Sequence, residues 1–193
     1  MSIYTILLIA LAVILPFALY FYWQTRKLAQ QAYDITTHTG MRLVGNPKSA
    51  TFSGAYRGYE GQIQTRKDAK GQFLFTELSL FMQNPNHKQL HVFVGEIAGY
   101  PTDYQQIGSV SLKENFTLPV QGLTNDMLFA GVLLNENAKK AIQTSLMATS
   151  KGMVALQGNA LVYLSTVKMQ DESAPQQWAN QLEVLAKIKD GLQ

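Results

Sequence analysis

Residues 3–23, IYTILLIALAVILPFALYFYW, form a run of 21 residues without a charge. No other feature constrains the chain so strongly. As a helix rising about 1.5 Å per residue, such a run spans a hydrocarbon core of about 30 Å. The cluster Tyr20, Phe21, Tyr22 and Trp23 at its C-terminal end suits the headgroup level of a bilayer, where amphipathic rings prefer to sit. Pro16 removes one backbone donor, which bilayer helices tolerate. A cleaved export signal fits less well, because no Lys or Arg precedes the run and bulky aromatics stand where small residues are required. Residues 1–23 are therefore read as a retained transmembrane anchor, with Tyr20, Tyr22, Trp23, Arg26 and Lys27 at the membrane interface. Arg26, Lys27 and Arg42 follow the anchor, so the positive-inside rule places the rest of the chain in the cytoplasm.

The remainder is long enough for one domain with a real core. Hydrophobic content of 47% argues against intrinsic disorder. The absence of cysteine excludes disulfides, thiolate metal sites and cysteine nucleophiles. Charge is uneven along the chain: residues 24–90 carry nine Lys/Arg against four Asp/Glu, and residues 91–193 carry seven against nine. The basic half either meets anionic headgroups, at about 1 kcal/mol per cation, or is an ordinary solvated surface. Its cations are scattered and no recognition motif accompanies them, so nucleic acid is not an expected partner.

Residues 24–40 read as a juxtamembrane helix. Leu28, Ala32 and Ile35 form one apolar stripe, and Gly40 is a natural stop. Residues 41–193 read as a single soluble α+β domain. Short strands are predicted over 41–44, 51–56, 62–67, 72–82 and 90–94, with glycine-bearing turns at 57–61 and 68–71. In the strand over 72–82, Leu74, Leu78, Leu80 and Met82 fall on one face and Phe73, Phe75 and Phe81 on the other, as a central strand requires. The last four of these strands read as an antiparallel meander. Residues 99–126 are broken by Pro101, Pro119 and Gly122, with a short strand expected near 106–110. A helix follows over 137–149, then strands 153–157 and 161–167 around the two-residue hairpin signal Gly158-Asn159. A last helix starts at Ser173, with Gln176 completing a capping box, Pro175 in the first turn, and Trp178, Leu182 and Leu185 as its buried stripe. The expected fold is thus an N-terminal transmembrane helix followed by an antiparallel sheet of about five to seven strands, with two or three packed helices.

Motifs that carry chemistry are scarce. His87 and His91 have metal-ligand spacing for a helix, but on a strand they stand about 13 Å apart, and His38 is distant in sequence. Gly54, Gly58 and Gly61 match no phosphate loop and suit turns and strand crossings. Asp103, Asp126 and Glu136 lie nearest the irregular segment. No nucleophile elbow is present, and Asn115-Phe116-Thr117 is a glycosylation tripeptide that has no use in the cytosol. No catalytic, cofactor-binding or metal residue is assigned, and no cofactor is implied. Tyr56, Arg57 and Tyr59 are the candidate interaction residues, because arginine between tyrosines at a turn is hot-spot chemistry. The competing reading puts Tyr56 in the core and Arg57 in solvent.

Leu118-Pro119, Asp126-x-x-Phe129, the run 133–137 (LLNEN) with the helix after it, and Gly158 to Leu164 (GNALVYL) together resemble an uncharacterised bacterial domain family. Its members are membrane-anchored, and some are encoded beside LemA-type membrane proteins. This chain has Asn135 where the family's helix start usually has proline. The resemblance implies α+β architecture and attachment to the bacterial inner membrane, and no activity. The functional expectation is a non-enzymatic, membrane-tethered interaction module, an accessory subunit beside an integral-membrane partner. The alternative is a membrane-anchored domain that binds or acts on a lipid or small molecule, with a pocket mouth in the segment 99–126.

Overall fold

The computed structural model describes residues 3–45, 51–84, 87–95, 110–112, 115–149 and 151–191, with side chains from residue 12 onward. The chain opens with one continuous helix, α1 (Ile3–Thr39), 37 residues long with Pro16 inside it. Gly40 ends it at φ 71°, and its N–H donates to the Thr36 carbonyl. Among the described residues no helix is long and apolar enough to cross a membrane. Part of the anchor expected over residues 1–23 falls on residues 1–11, whose side chains lie outside the described set.

Then come β1 (Arg42–Leu43), β2 (Thr51–Tyr56), β3 (Tyr59–Lys67), β4 (Phe73–Phe81), β5 (Leu90–Val94), β6 (Val110–Ser111) and β7 (Gln121–Thr124). Helices α2 (Met127–Leu133) and α3 (Glu136–Met147) follow, then β8 (Gly152–Gln157), β9 (Ala160–Ser165) and α4 (Ala174–Asp190). All strands join one antiparallel sheet in the order β1-β2-β3-β4-β9-β8-β5-β7-β6. The fold class is α+β, as expected.

Register explains the core. Paired residues share a face, so Phe52, Ile63, Leu78, Tyr163, Val154 and Val92 line up across six strands. Every one of them is fully buried, in the same core as Ile142 and Leu146 of α3 and Trp178, Leu182 and Leu185 of α4. Phe52 and Trp178 meet edge-on at 6.3 Å. The stripe Ala32 and Ile35 joins this core from α1, and Gln31 Nε2 fastens α1 to the carbonyl of Gln170 at 2.7 Å. The other side of the sheet carries a smaller apolar cluster around Phe75, Val162 and Leu164.

Several expectations need correcting. The meander stops at β4, because β9 pairs there and the β8–β9 hairpin separates β4 from β5. Central position goes to strands that are apolar on both faces, and β9 is buried at five of its six residues. Leu74 does not share a face with Leu78. A bulge opposite Arg66 and Lys67 shifts it, and it packs beside Phe75. The turn after β2 is only Arg57-Gly58, both at positive φ, so β3 begins at Tyr59. The short helix α2 was not foreseen. Ser173 makes no capping bond, since its backbone is already helical, and instead it accepts from Gln177 Nε2. The strand expected near 106–110 falls mostly outside the described residues.

Candidate functional site

The β2–β3 turn is short enough to present the polar tips of Tyr56, Arg57 and Tyr59 to one partner, and that partner is α4. The Tyr56 hydroxyl donates to the Ala179 carbonyl and to Glu183 Oε2, both at 3.3 Å. Arg57 meets Glu183 at 3.0 Å and Asp190 at 3.5 Å. The Tyr59 hydroxyl donates to Asp190 at 2.5 Å, and Lys189 Nζ stands 4.2 Å from the centre of the Tyr59 ring. Lys189 also donates to the Phe81 carbonyl at the end of β4. Burial and the charge of Glu183 raise the Tyr56 phenol above its ordinary value. The bond to Asp190 does the same for Tyr59. Burial lowers the Lys189 ammonium, against a smaller opposing effect of Glu60. The three candidate interaction residues are therefore brought together, but by a contact within the chain: the hairpin clasps the C-terminal helix.

Beside this clasp lies a groove of about 1070 Å³ between α3 and α4. Lys140 and Thr144 of α3, with Ala148 at its C-cap, form one wall, and Asn180, Val184 and Lys187 of α4 the other. Asn135 and Asn137 also line it, and Ser145, Thr149 and Gln181 contribute further polar atoms. The Ser145 hydroxyl lies 3.0 Å from that of Tyr163, which β9 buries in the core. Burial raises the Tyr163 phenol, and hydrogen bonds with Ser145 and Thr149 partly oppose this. Gln181 is only 3% exposed. Its Nε2 donates to Ser165 Oγ at 3.1 Å, while its Oε1 has no partner among the described residues. The groove's carboxylates, Glu183 and Asp190, are both engaged by Arg57. Lys140 and Lys187 have no ion-pair partner among the described residues. No described residue of the stretch 99–126, where a pocket mouth is expected, lines this groove, and residues 99–109, 113 and 114 lie outside the described residues.

The remaining sequence candidates have structural places. Asp126 caps α2 by accepting from Phe129 N–H and pairs with Lys88, and the Lys88 bond holds its carboxyl below the ordinary aspartate value. Glu136 pairs with Lys139 on the surface. His91 is buried in β5, and no set of metal-ligating side chains occurs among the described residues. Asp103 lies outside them. A methyl group on Gly61 would stand 2.3 Å from the Ser79 carbonyl, so this glycine serves the crossing of β3 and β4.

The membrane-interface candidates sit at one level of α1. Tyr20, Tyr22 and Trp23 are each more than half exposed, as are Val13, Ile14, Leu15, Phe17, Leu19 and Phe21. Lys27 Nζ lies 5.6 Å from the centre of the Trp23 ring, and Gln24 donates to the Tyr20 hydroxyl at 2.9 Å. These apolar positions surround the helix rather than forming a stripe.

No family model matches the chain, and no curated protein is similar to it. Among solved structures, the crystal structure of the mycobacterial trehalose monomycolate transport factor A is similar, with a TM-score of 0.56 over 86% of this chain and 94% of that one. Sequence identity is 11%, so what the two share is the fold.

Proposed function

We propose that this chain is a membrane-tethered accessory factor whose domain takes part in handling a lipid at the surface of a bacterial inner membrane. The observation that carries the proposal is the described apolar part of α1. Its large side chains are exposed on all sides, and a helix apolar all round requires protein or lipid about it. The rest of the described chain does not cover it. In this reading residues 1–23 are the single-pass anchor, and the aromatic level at Tyr20 to Trp23 sits among headgroups. Arg26 and Lys27 then hold the domain on the cytoplasmic side. The fold likeness to a trehalose monomycolate transport factor supports lipid handling over a purely protein-binding role. An integral-membrane partner belongs to the same proposal, since tethering raises the domain's effective concentration beside such a partner. The Tyr56–Arg57–Tyr59 tip would meet that partner with the faces its clasp on α4 leaves open. Membership of the LemA-associated family is also part of this reading.

Flotation tests it. The full chain, reconstituted with phosphatidylcholine vesicles and washed in alkaline carbonate, should float with the lipid. A chain that remains at the bottom of the gradient would remove the tether and the inner-membrane assignment together.

A further inference from the structure

We infer that the groove between α3 and α4 binds an anionic, hydroxyl-bearing head group, a phosphate ester flanked by hydroxyls. This deepens the lipid reading above and rests on it for the source of the ligand. Three observations carry it. First, the groove's volume of about 1070 Å³ accommodates a ligand of that size. Second, its charges are unbalanced in a specific way. Its lining carries three cations, Arg57, Lys140 and Lys187, against two carboxylates; Arg57 bridges Glu183 and Asp190, while Lys140 and Lys187, one on each helix, face the groove with no carboxylate among the described residues within ion-pair distance. Two ammonium groups on opposite walls suit a phosphate between them, as compact donors on flexible stems. Third, part of the lining is polar without being charged. The Ser145 hydroxyl lies there, paired with Tyr163. Gln181 is buried and leaves Oε1 without a donor, a cost that proteins rarely leave standing. An amide oxygen of this kind accepts from a hydroxyl. Phosphate at Lys140 and Lys187 and hydroxyls at Ser145 and Gln181 fix the ligand's direction in the groove.

A phosphatidylglycerol-type lipid and a soluble polyol phosphate share this chemistry, and lysine footprinting separates them. The full chain is acetylated in neutral detergent with glycerol 3-phosphate or inorganic phosphate. It is also acetylated in nanodiscs of phosphatidylcholine with or without phosphatidylglycerol. With glycerol 3-phosphate at about ten times its dissociation constant, modification of Lys140 and Lys187 should slow about tenfold, while Lys67 and Lys70 are unchanged. Protection only in phosphatidylglycerol nanodiscs identifies a lipid as the source, and protection by the soluble ester identifies a free metabolite. The double variant K140Q/K187Q should lose the binding seen by calorimetry and keep its circular-dichroism melt, since both lysines are exposed. Unprotected lysines in every arm would overturn the inference, and equal protection by inorganic phosphate would overturn its hydroxyl half. The detergent arm needs no bilayer. Loss of flotation with retained protection would therefore remove the tether and spare the groove, and the reverse result would do the opposite.

Discussion

Arg57 occupies a position that the backbone reserves for other residues. At φ 50° it is the first residue of a two-residue hairpin turn, where Asn or Gly is the usual choice. A left-handed non-glycine residue costs about 1 kcal/mol. What holds arginine there is the pair of carboxylates on α4, and a half-exposed ion pair recovers less than about 1 kcal/mol. The two effects nearly cancel. Arg57→Asn should therefore leave the melting temperature almost unchanged, while Arg57→Ala should lower it, because alanine loses the pair and keeps the strain. The coupling can be isolated with Glu183→Gln. That substitution should destabilise the parent chain more than the Arg57→Asn chain, by about 0.5 kcal/mol in a urea double-mutant cycle. Equal costs in both backgrounds would show that the clasp contributes no pairwise energy. Gly61 is the opposite case, with no room for compromise. The close approach of the Ser79 carbonyl means that Gly61→Ala must push β3 from β4, at about 2 kcal/mol or more in the same urea assay.

Among the elements, the short helix α2 depends most on one side chain. Asp126 caps it and pairs with Lys88, and its carboxyl is held below the ordinary aspartate value. A carboxylate with a depressed folded-state value stabilises above the unfolded value, and that contribution disappears as pH falls through the folded one. Acid unfolding of the parent chain should therefore include a proton uptake below the ordinary aspartate range that Asp126→Asn lacks, visible by comparing their stability against pH. The same helix shows where sequence legibility ends. Its seven residues, MLFAGVL, have no period to read and only one polar signal, the aspartate in front. Long amphipathic elements were plain by contrast: α3 and α4 show their buried stripes in the sequence, and the β8–β9 hairpin shows its Gly158-Asn159 turn. The order of the strands was not legible, since β4 accepts β9 through apolar residues that would equally suit a neighbour from β5. The groove was half legible. Its polar stripe, Lys140 and Thr144 on one helix and Asn180 and Lys187 on the other, has helical spacing. Only packing reveals that the two stripes face each other.

At the scale of the molecule, α1 is one continuous helix, and Pro16 lies within its apolar stretch, before the segment that joins the domain. Thirty-seven residues of helix, about 55 Å long, run from the apolar stretch to Thr39, and their last turns are locked onto the core by Ala32, Ile35 and Gln31. A tether of this kind is a shaft. In the tethered reading proposed above, it fixes the domain's azimuth relative to the anchor as well as its height above the lipid, so the side of the sheet that faces a partner bound to the anchor is set by the phase of the helix. Each inserted residue turns the domain by about 100°, and seven residues bring it nearly back into phase. Two alanines inserted after Arg26 should therefore turn the domain to a different azimuth relative to the anchor, read as a changed pattern of distances between a spin label on the apolar stretch and single-site spin labels on the domain. Seven alanines should restore the original order of those distances, each of them longer. An identical pattern for both insertions would mean that the shaft bends and carries no rotation.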